Sequence, residues 1–414
     1  MKNNTITGKK IQQQIKRFSS KLTKDKSKSK KRFVSQVLFG MQAARDVKLS
    51  NIARSLDEKI KLIKTENRLS RQMSSGDLTD NVNNVLIDDG ASRIKHDTVL
   101  ALDLSDINKP FAKKMENLSE VWNGSEGKVS NGYCICEVVG AEVKGENPIP
   151  LYSELYSHIA DGFESENDQI LKAIKAVSEK TKKRGIWTMD RGADRRVLIG
   201  ALANEGLKFV IRARGDRHVI NSVGREVSVW KIVWRMKYKE KYTVEVDREG
   251  YTEKIELELA ERQKVTIDDI PVRIIAIRGF GKKPMILLTN LDKPMHEVLE
   301  IYLTRWKCEE SFRFLKHEYH LEDVRVRSYT GLRNTVVLIH AVYYFLSVHL
   351  GRKLRLQILL NKILEKAKRF FQIPNFKHYA VADGIFRLLF NMKWDPVEIK
   401  EEEEDKRQLL FGFT

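Results

Sequence analysis

Hydrophobic positions change their period three times along the chain. Up to about residue 96 the apolar residues recur with a helical spacing, most clearly in Val34–Arg45 and Leu49–Thr65, before a polar stretch at Ser70–Asp80. No proline occurs before Pro110, which suits a helical region. From Thr98 the text alternates. Short apolar runs at Thr98–Leu102 (TVLAL), Tyr133–Val139, Ile149–Tyr152, Gly185–Met189 (GIWTM) and Lys208–Ile211 predict strands. Between them, Ile170–Thr181 and Arg195–Glu205 carry a helical period. Strands alternating with helices predict an α/β sheet.

Residues 215–295 change again, to β-rich text. Val227–Trp234, Tyr242–Val246, Lys254–Leu259, Val272–Ile277 and Met285–Leu288 read as strands of an antiparallel insertion. Helices resume near His296 and run to the end. The longest apolar stretch, Val336–Leu350, contains His340 and His349 and falls short of the ~20 residues a membrane span needs, so it predicts a buried core helix. The acidic run Glu401–Asp405 predicts a solvated segment.

Composition sharpens this picture at two points. A chain of 414 residues with 42% hydrophobic positions can bury a sizeable core, in two to four domains at about 100–200 residues each. Its 75 Lys and Arg against 56 Asp and Glu leave a net charge of +19, which favours a polyanionic partner such as nucleic acid. The densest basic run is Lys21–Arg32 (KLTKDKSKSKKR). Three cysteines, Cys134, Cys136 and Cys308, exclude a disulfide framework and fit a reducing compartment. Cys134 and Cys136 share one face of a strand without a second Cys or His pair, so they predict core packing. The polar N-terminus predicts no signal peptide, and a soluble cytoplasmic protein without a membrane partner follows as the expectation.

The candidate chemistry is carboxylate chemistry. Asp103 ends the apolar run VLAL and Asp190 ends GIWTM, and polar residues at the carboxyl ends of strands line the ligand crevice of an α/β sheet. Asp106 stands three residues after Asp103 as an alternative, and Asp194 trails Asp190 near the start of a helix. In the helical text EIYLTRWKCEESFRFLK, a continuous helix would bring Tyr302, Arg305, Glu309 and Lys316 within a stripe about 60° wide. A carboxylate on such a stripe can ligate a metal while its cationic neighbours hold phosphates. A solvated face with an Arg305–Glu309 pair explains the same pattern equally simply. Glu310 adjoins Glu309, but only Glu309 keeps the spacing to the other three.

Taken together, these segments resemble one family. The spacing Tyr302-(2)-Arg305-(3)-Glu309-(6)-Lys316 resembles the signature of the three-carboxylate (DDE) cut-and-paste transposases of bacterial insertion sequences, of the insertion sequence four type. LDLSDI at Leu102–Ile107 and TMDRGADRR at Thr188–Arg196 resemble the family's first and second catalytic motifs, and LLTNL at Leu287–Leu291 the strand leaving its β insertion. The resemblance implies a ribonuclease-H-like α/β core interrupted by a β-rich insertion, with helical N- and C-terminal regions. It divides the chain into a basic helical DNA-binding region (1–96), the first part of the core (97–214), the insertion (215–295), the helix with the catalytic Glu (296–325) and a helical C-terminal region (326–414). It also implies Asp103, Asp190 and Glu309 as catalytic metal ligands, with Mg²⁺ (or Mn²⁺) as cofactor and two ions per site. Tyr302, Arg305, Lys316, Arg212 and Arg214 would contact DNA, and a homodimer would act on double-stranded element ends and target DNA in a prokaryotic nucleoid. Trp230, Trp234 and Phe280 are candidates to stack on a flipped base, with core packing the simpler role for each Trp. A ribonuclease-H-like nuclease, or a transposase-derived DNA-binding protein without catalysis, would share parts of this pattern.

Overall fold

A computed structural model describes residues 2–124, 126–145, 147–248, 251–351, 354–367 and 377–396. The acidic run Glu401–Asp405 lies outside the described residues. Five helices come first: α1 (Lys2–Leu22), α2 (Lys28–Ala44), α3 (Leu49–Leu56), α4 (Leu62–Met73) and α5 (Thr79–Ala91). The first four strands follow as β1 (Val99–Asn108), β2 (Ser119–Asn123), β3 (Lys128–Ala141) and β4 (Ile149–Tyr156). Next come α6 (Glu166–Thr181), β5 (Ile186–Met189), α7 (Arg196–Asn204) and β6 (Lys208–Arg212). The β-rich region contains β7 (His218–Ile220), β8 (Glu226–Ser228), α8 (Val229–Trp234), β9 (Glu240–Arg248), β10 (Tyr251–Ile267), β11 (Ile270–Arg278) and β12 (Met285–Thr289). The last described elements are α9 (Met295–Leu303), α10 (Trp306–Glu318), α11 (Tyr329–Tyr344), α12 (Leu354–Leu364) and α13 (His378–Leu389).

All the strands belong to one mixed sheet. On one side, β3 pairs antiparallel with both β1 and β4, while β5 lies parallel to β1 and β6 parallel to β5. This is the mixed α/β sheet that the sequence predicts. The β-rich region continues it: β12 pairs antiparallel with β6, and β11 and β10 follow outward. The parallel centre is built from apolar runs that are buried on both faces, as the buried run Ile186–Met189 illustrates. Cys136 is buried in this core and Cys134 half-buried.

The N-terminal helices pack on the same core. Phe33, Val37 and Phe39 of α2 are buried, and α2 lies against α11 and α13 while α5 covers β4. The apolar stretch at Val336–Leu350 is buried throughout inside this helical layer, in α11 and the helical turn that follows it.

Two sequence expectations fail locally. Val227–Trp234 is not one strand: β8 ends at Ser228, whose hydroxyl caps the amide of Lys231, and α8 begins. Its buried residues Val229, Ile232 and Val233 fall at i, i+3 and i+4, which suits one helical turn and a half better than a strand. The expected continuous helix across Tyr302–Lys316 also breaks, at Thr304–Arg305 between α9 and α10. There the Thr304 hydroxyl bonds back to the Glu300 carbonyl, and the Lys307 amide reaches only to the Thr304 carbonyl, a tightened turn.

Candidate active site

Two parallel strands deliver the first two carboxylates. β1 and β5 pair from Val99–Ile186 to Ala101–Thr188. The pairing ends there and the strands part; Asp103 and Asp190 each lie two residues past that last pair, near enough that the Asp190 charge acts on the Asp103 carboxyl. β1 continues beside β3 to Asn108, whereas the chain after Met189 enters a tight turn, Arg191–Ala193. Asp190 caps that turn, its Oδ1 accepting from the Gly192 amide at 2.8 Å. A crevice at the carboxyl ends of two diverging strands is where α/β sheets hold ligands.

Helix α10 packs over β1 and β3 and brings the third carboxylate. Glu309 and Glu310 are adjacent in the first turns but differ in surroundings. The Glu309 side chain is 49% exposed and bonds to Arg305, while Glu310 is buried and takes hydrogen bonds from Tyr379 at 3.0 Å and Arg313 at 2.7 Å. Arg305, just before the helix, ties Glu309 to the strands. Its Nη1 donates to Asp103 Oδ2 at 3.1 Å and its Nη2 to Glu309 Oε1.

The charges interact as this geometry demands. Burial pushes the Asp103 carboxyl up to about 7; Arg305 opposes the rise, and Asp190 and Glu309 add to it. A carboxylate with both neighbours acting on it, and one guanidinium holding it down, is a site with negative charge in excess. Asp106, the alternative, accepts from its neighbour Asn108 and faces Lys316 at 3.8 Å.

The kink before α10 redistributes the predicted stripe. Arg305 and Glu309 reach Asp103, and Tyr302 is buried with its ring centroid 5.7 Å from the Arg305 guanidinium. Lys316 turns instead toward the far end of β1, 3.2 Å from Glu322 and 3.8 Å from Asp106. Arg212, at the end of β6, is exposed, and its charge acts on Tyr302. Arg214 lies on the cleft beside Asp190, an open cavity of ≈ 690 Å³ also lined by Arg191, Gly192, Arg195 and Gly215.

One residue on that cleft was not assigned a role from sequence. Asp194 is buried and accepts from the Arg214 amide at 2.7 Å and Arg217 Nε at 2.8 Å, so it pins the loop that carries Arg214. Its only sequence signal is a second Asp in DRGADRR. Trp230 packs so closely on Gly215 that a Cβ there would stand 1.7 Å from the indole nitrogen, which makes Trp230 a packing residue. Trp234 and Phe280 are exposed.

Donor chemistry decides whether a metal suits the site. Three carboxylates and no thiolate or imidazole make an oxygen donor set for a hard divalent cation. The raised Asp103 carboxyl fits as well, because a cation would relieve repulsion that Arg305 only partly offsets. Among the described residues, however, no group of three or more Asp, Glu, His or Cys forms a closed ligand cluster. Arg305 fills the place between Asp103 and Glu309.

Residues 157–345 match the family model described as "Transposase DDE domain". That span is a little under half of the chain and includes Asp190, Arg212, Arg214, Tyr302, Arg305, Glu309 and Lys316. It begins beyond Asp103, whose place rests on the pairing of β1 with β5 and its bond to Arg305. The comparison with curated proteins returns no match. Among solved structures, the chain is similar to one described as the piggyBac transposase synaptic complex with hairpin DNA, at 12% identity and a TM-score of 0.38. That likeness covers 81% of this chain, which spans 59% of the other's length.

Proposed function

We propose that this chain is a metal-dependent DNA transposase, which cuts DNA at the terminal inverted repeats of an insertion sequence and joins the ends to a target. The observation that carries the proposal is that Asp103 and Asp190 follow the paired parallel strands β1 and β5, with the Asp190 charge acting on Asp103 and Glu309 tied to Asp103 through one arginine. The family match over Asp190 and Glu309 supports the same chemistry.

Asp103, Asp190 and Glu309 are the residues that would hold divalent cations, Mg²⁺ or Mn²⁺. When bound, a pair of such ions would supply Lewis acidity to the attacking and leaving oxygens of a phosphoryl transfer. The protein's own groups orient the nucleic acid. Arg305, released from one carboxylate, offers its planar fork to a phosphate, and Tyr302 fixes the guanidinium from beside it. Arg214 lines the cleft, on a loop held by Asp194, and the exposed Arg212 stands at the end of β6 before it. The basic helical residues 1–96 would bind along the element end, and two copies would act together on paired ends in a cut-and-paste reaction.

Cleavage of a duplex carrying the element's own ends, with Mg²⁺ or Mn²⁺, tests the proposal. Wild type should cut at the element boundary and Glu309→Gln should not. Equal cutting by both would overturn the assigned chemistry.

A further inference from the structure

The most exposed large hydrophobic side chain among the described residues is Phe111, at 94%. It sits in the turn that follows β1, the strand carrying Asp103, and that turn is firmly held. Lys109 is buried, and its ammonium donates to the carbonyls of Glu322 and of Val324, the latter at 2.6 Å. Glu116, at the other end, donates its amide to the Arg327 carbonyl at 3.0 Å and accepts from the Tyr329 amide at 2.7 Å. The Tyr133 hydroxyl adds a bond to the Glu116 carbonyl at 2.6 Å. The loop is thus strapped to the segment after α10, the helix of Glu309. A phenyl ring held out in water from both ends of a tethered loop contributes nothing to folding.

The unpaired charges in its surroundings are cationic: the nearby Glu322 and Asp323 pair with Lys316 and Lys48, and Glu116 accepts from the Tyr329 amide. Lys113 and Lys114 follow Phe111 on the loop, and Arg325 and Arg327 lie on the segment to which the loop is strapped. All four are exposed, and none makes an ion pair among the described residues. Unpaired cations around a projecting aromatic suit a polyanion with flat apolar groups between its charges: phosphates for the cations, a base step for the ring. An acidic protein surface would satisfy the cations but leave the ring unexplained.

We propose that Phe111 is a wedge that enters double-stranded DNA beside the cleavage site, with Lys113, Lys114, Arg325 and Arg327 holding the flanking phosphates. The proposal rests on the DNA-cutting function above and adds a contact that function does not require. Eight residues of extended chain separate Asp103 from Phe111, so the ring reaches at most about 28 Å from the carboxylates. At 3.4 Å per base pair, that is within about eight base pairs of the scissile phosphate.

The experiment uses the full chain and a duplex carrying the element end, with 2-aminopurine placed singly at each position within about ten base pairs on either side of the cut. Wild type should raise the fluorescence at one step, on the element side or on the flanking side, which tells which DNA the wedge enters. Phe111→Ala should abolish that signal and weaken binding about tenfold, while Phe111→Trp restores both. The paired variant Lys113→Ala/Lys114→Ala should lower the salt dependence of binding by about two phosphates. Because Phe111 packs on nothing, the melting temperature should not move with any of these changes. If wild type cuts the duplex but Phe111→Ala keeps the signal and affinity of wild type, the wedge is wrong and the cutting activity stands. If wild type neither binds nor cuts, both fail.

Discussion

Arg305 and Asp103 lie 202 positions apart in sequence, yet the guanidinium Nη1 is 3.1 Å from the carboxylate Oδ2. The same guanidinium holds Glu309, so one cation stands where three carboxylates need positive charge. Arg305→Ala should therefore destabilise the fold by about 1–3 kcal/mol, nearly all from the partly buried Asp103 arm, since the half-exposed Glu309 arm is worth little. Urea unfolding with and without Mg²⁺ checks this. Added Mg²⁺ should stabilise Arg305→Ala more than wild type, because the ion then meets carboxylates with no competing arginine. An equal gain in both would separate Arg305 from the metal site.

Adjacent glutamates should part company when mutated. Glu310 is buried against Tyr379 and Arg313, so Glu310→Ala should cost about 1–3 kcal/mol in denaturant unfolding while the folded fraction still cleaves DNA. Glu309→Gln should shift stability by no more than about 0.5 kcal/mol and abolish cleavage. The reverse pattern would exchange their roles.

His378 gives the stability a defined pH dependence. It is buried between Phe314 and Tyr343, and burial lowers its imidazole from the ordinary 6.5 to about 3. Between those two values the unfolded chain takes up a proton that the folded chain refuses. This contribution is therefore complete above about pH 6.5 and is lost as pH falls, by about 1.4 kcal/mol per unit. Unfolding midpoints of wild type and His378→Phe measured from about pH 4 to 7 should diverge by this one-proton slope. Parallel curves would mean that His378 takes up its proton as readily folded as unfolded.

The two aspartates stood out because each closes an apolar run, and two such runs in one sheet can pair in register, as Val99–Ile186 does, although β1 itself runs on past Asp103 to Asn108. Glu309 was singled out by its spacing to Tyr302, Arg305 and Lys316 taken together with the family resemblance. The interruption at Thr304–Arg305 was not, since no Gly or Pro marks it and only a side-chain bond from Thr304 and a tightened turn do. It matters, because a straight helix would have placed Lys316 with Glu309 rather than with Asp106 and Glu322. α8 was misread because six mostly apolar residues fit either period, and Ser228 decides the matter only once its hydroxyl caps the helix. Asp194 and Phe111 depend on contacts, or on their lack, between segments far apart in sequence, which no local pattern carries.

The central claim is that Asp103, Asp190 and Glu309 make one cation site without help from DNA. Titration of Mn²⁺ into the DNA-free protein, followed by loss of the free-ion electron paramagnetic resonance signal, tests it most directly. Wild type should bind, and Asp103→Asn, Asp190→Asn and Glu309→Gln should each weaken binding about tenfold or more, with Asp106→Asn unchanged. Binding by Asp103→Asn as tight as wild type, or its loss in Asp106→Asn, would contradict the assignment.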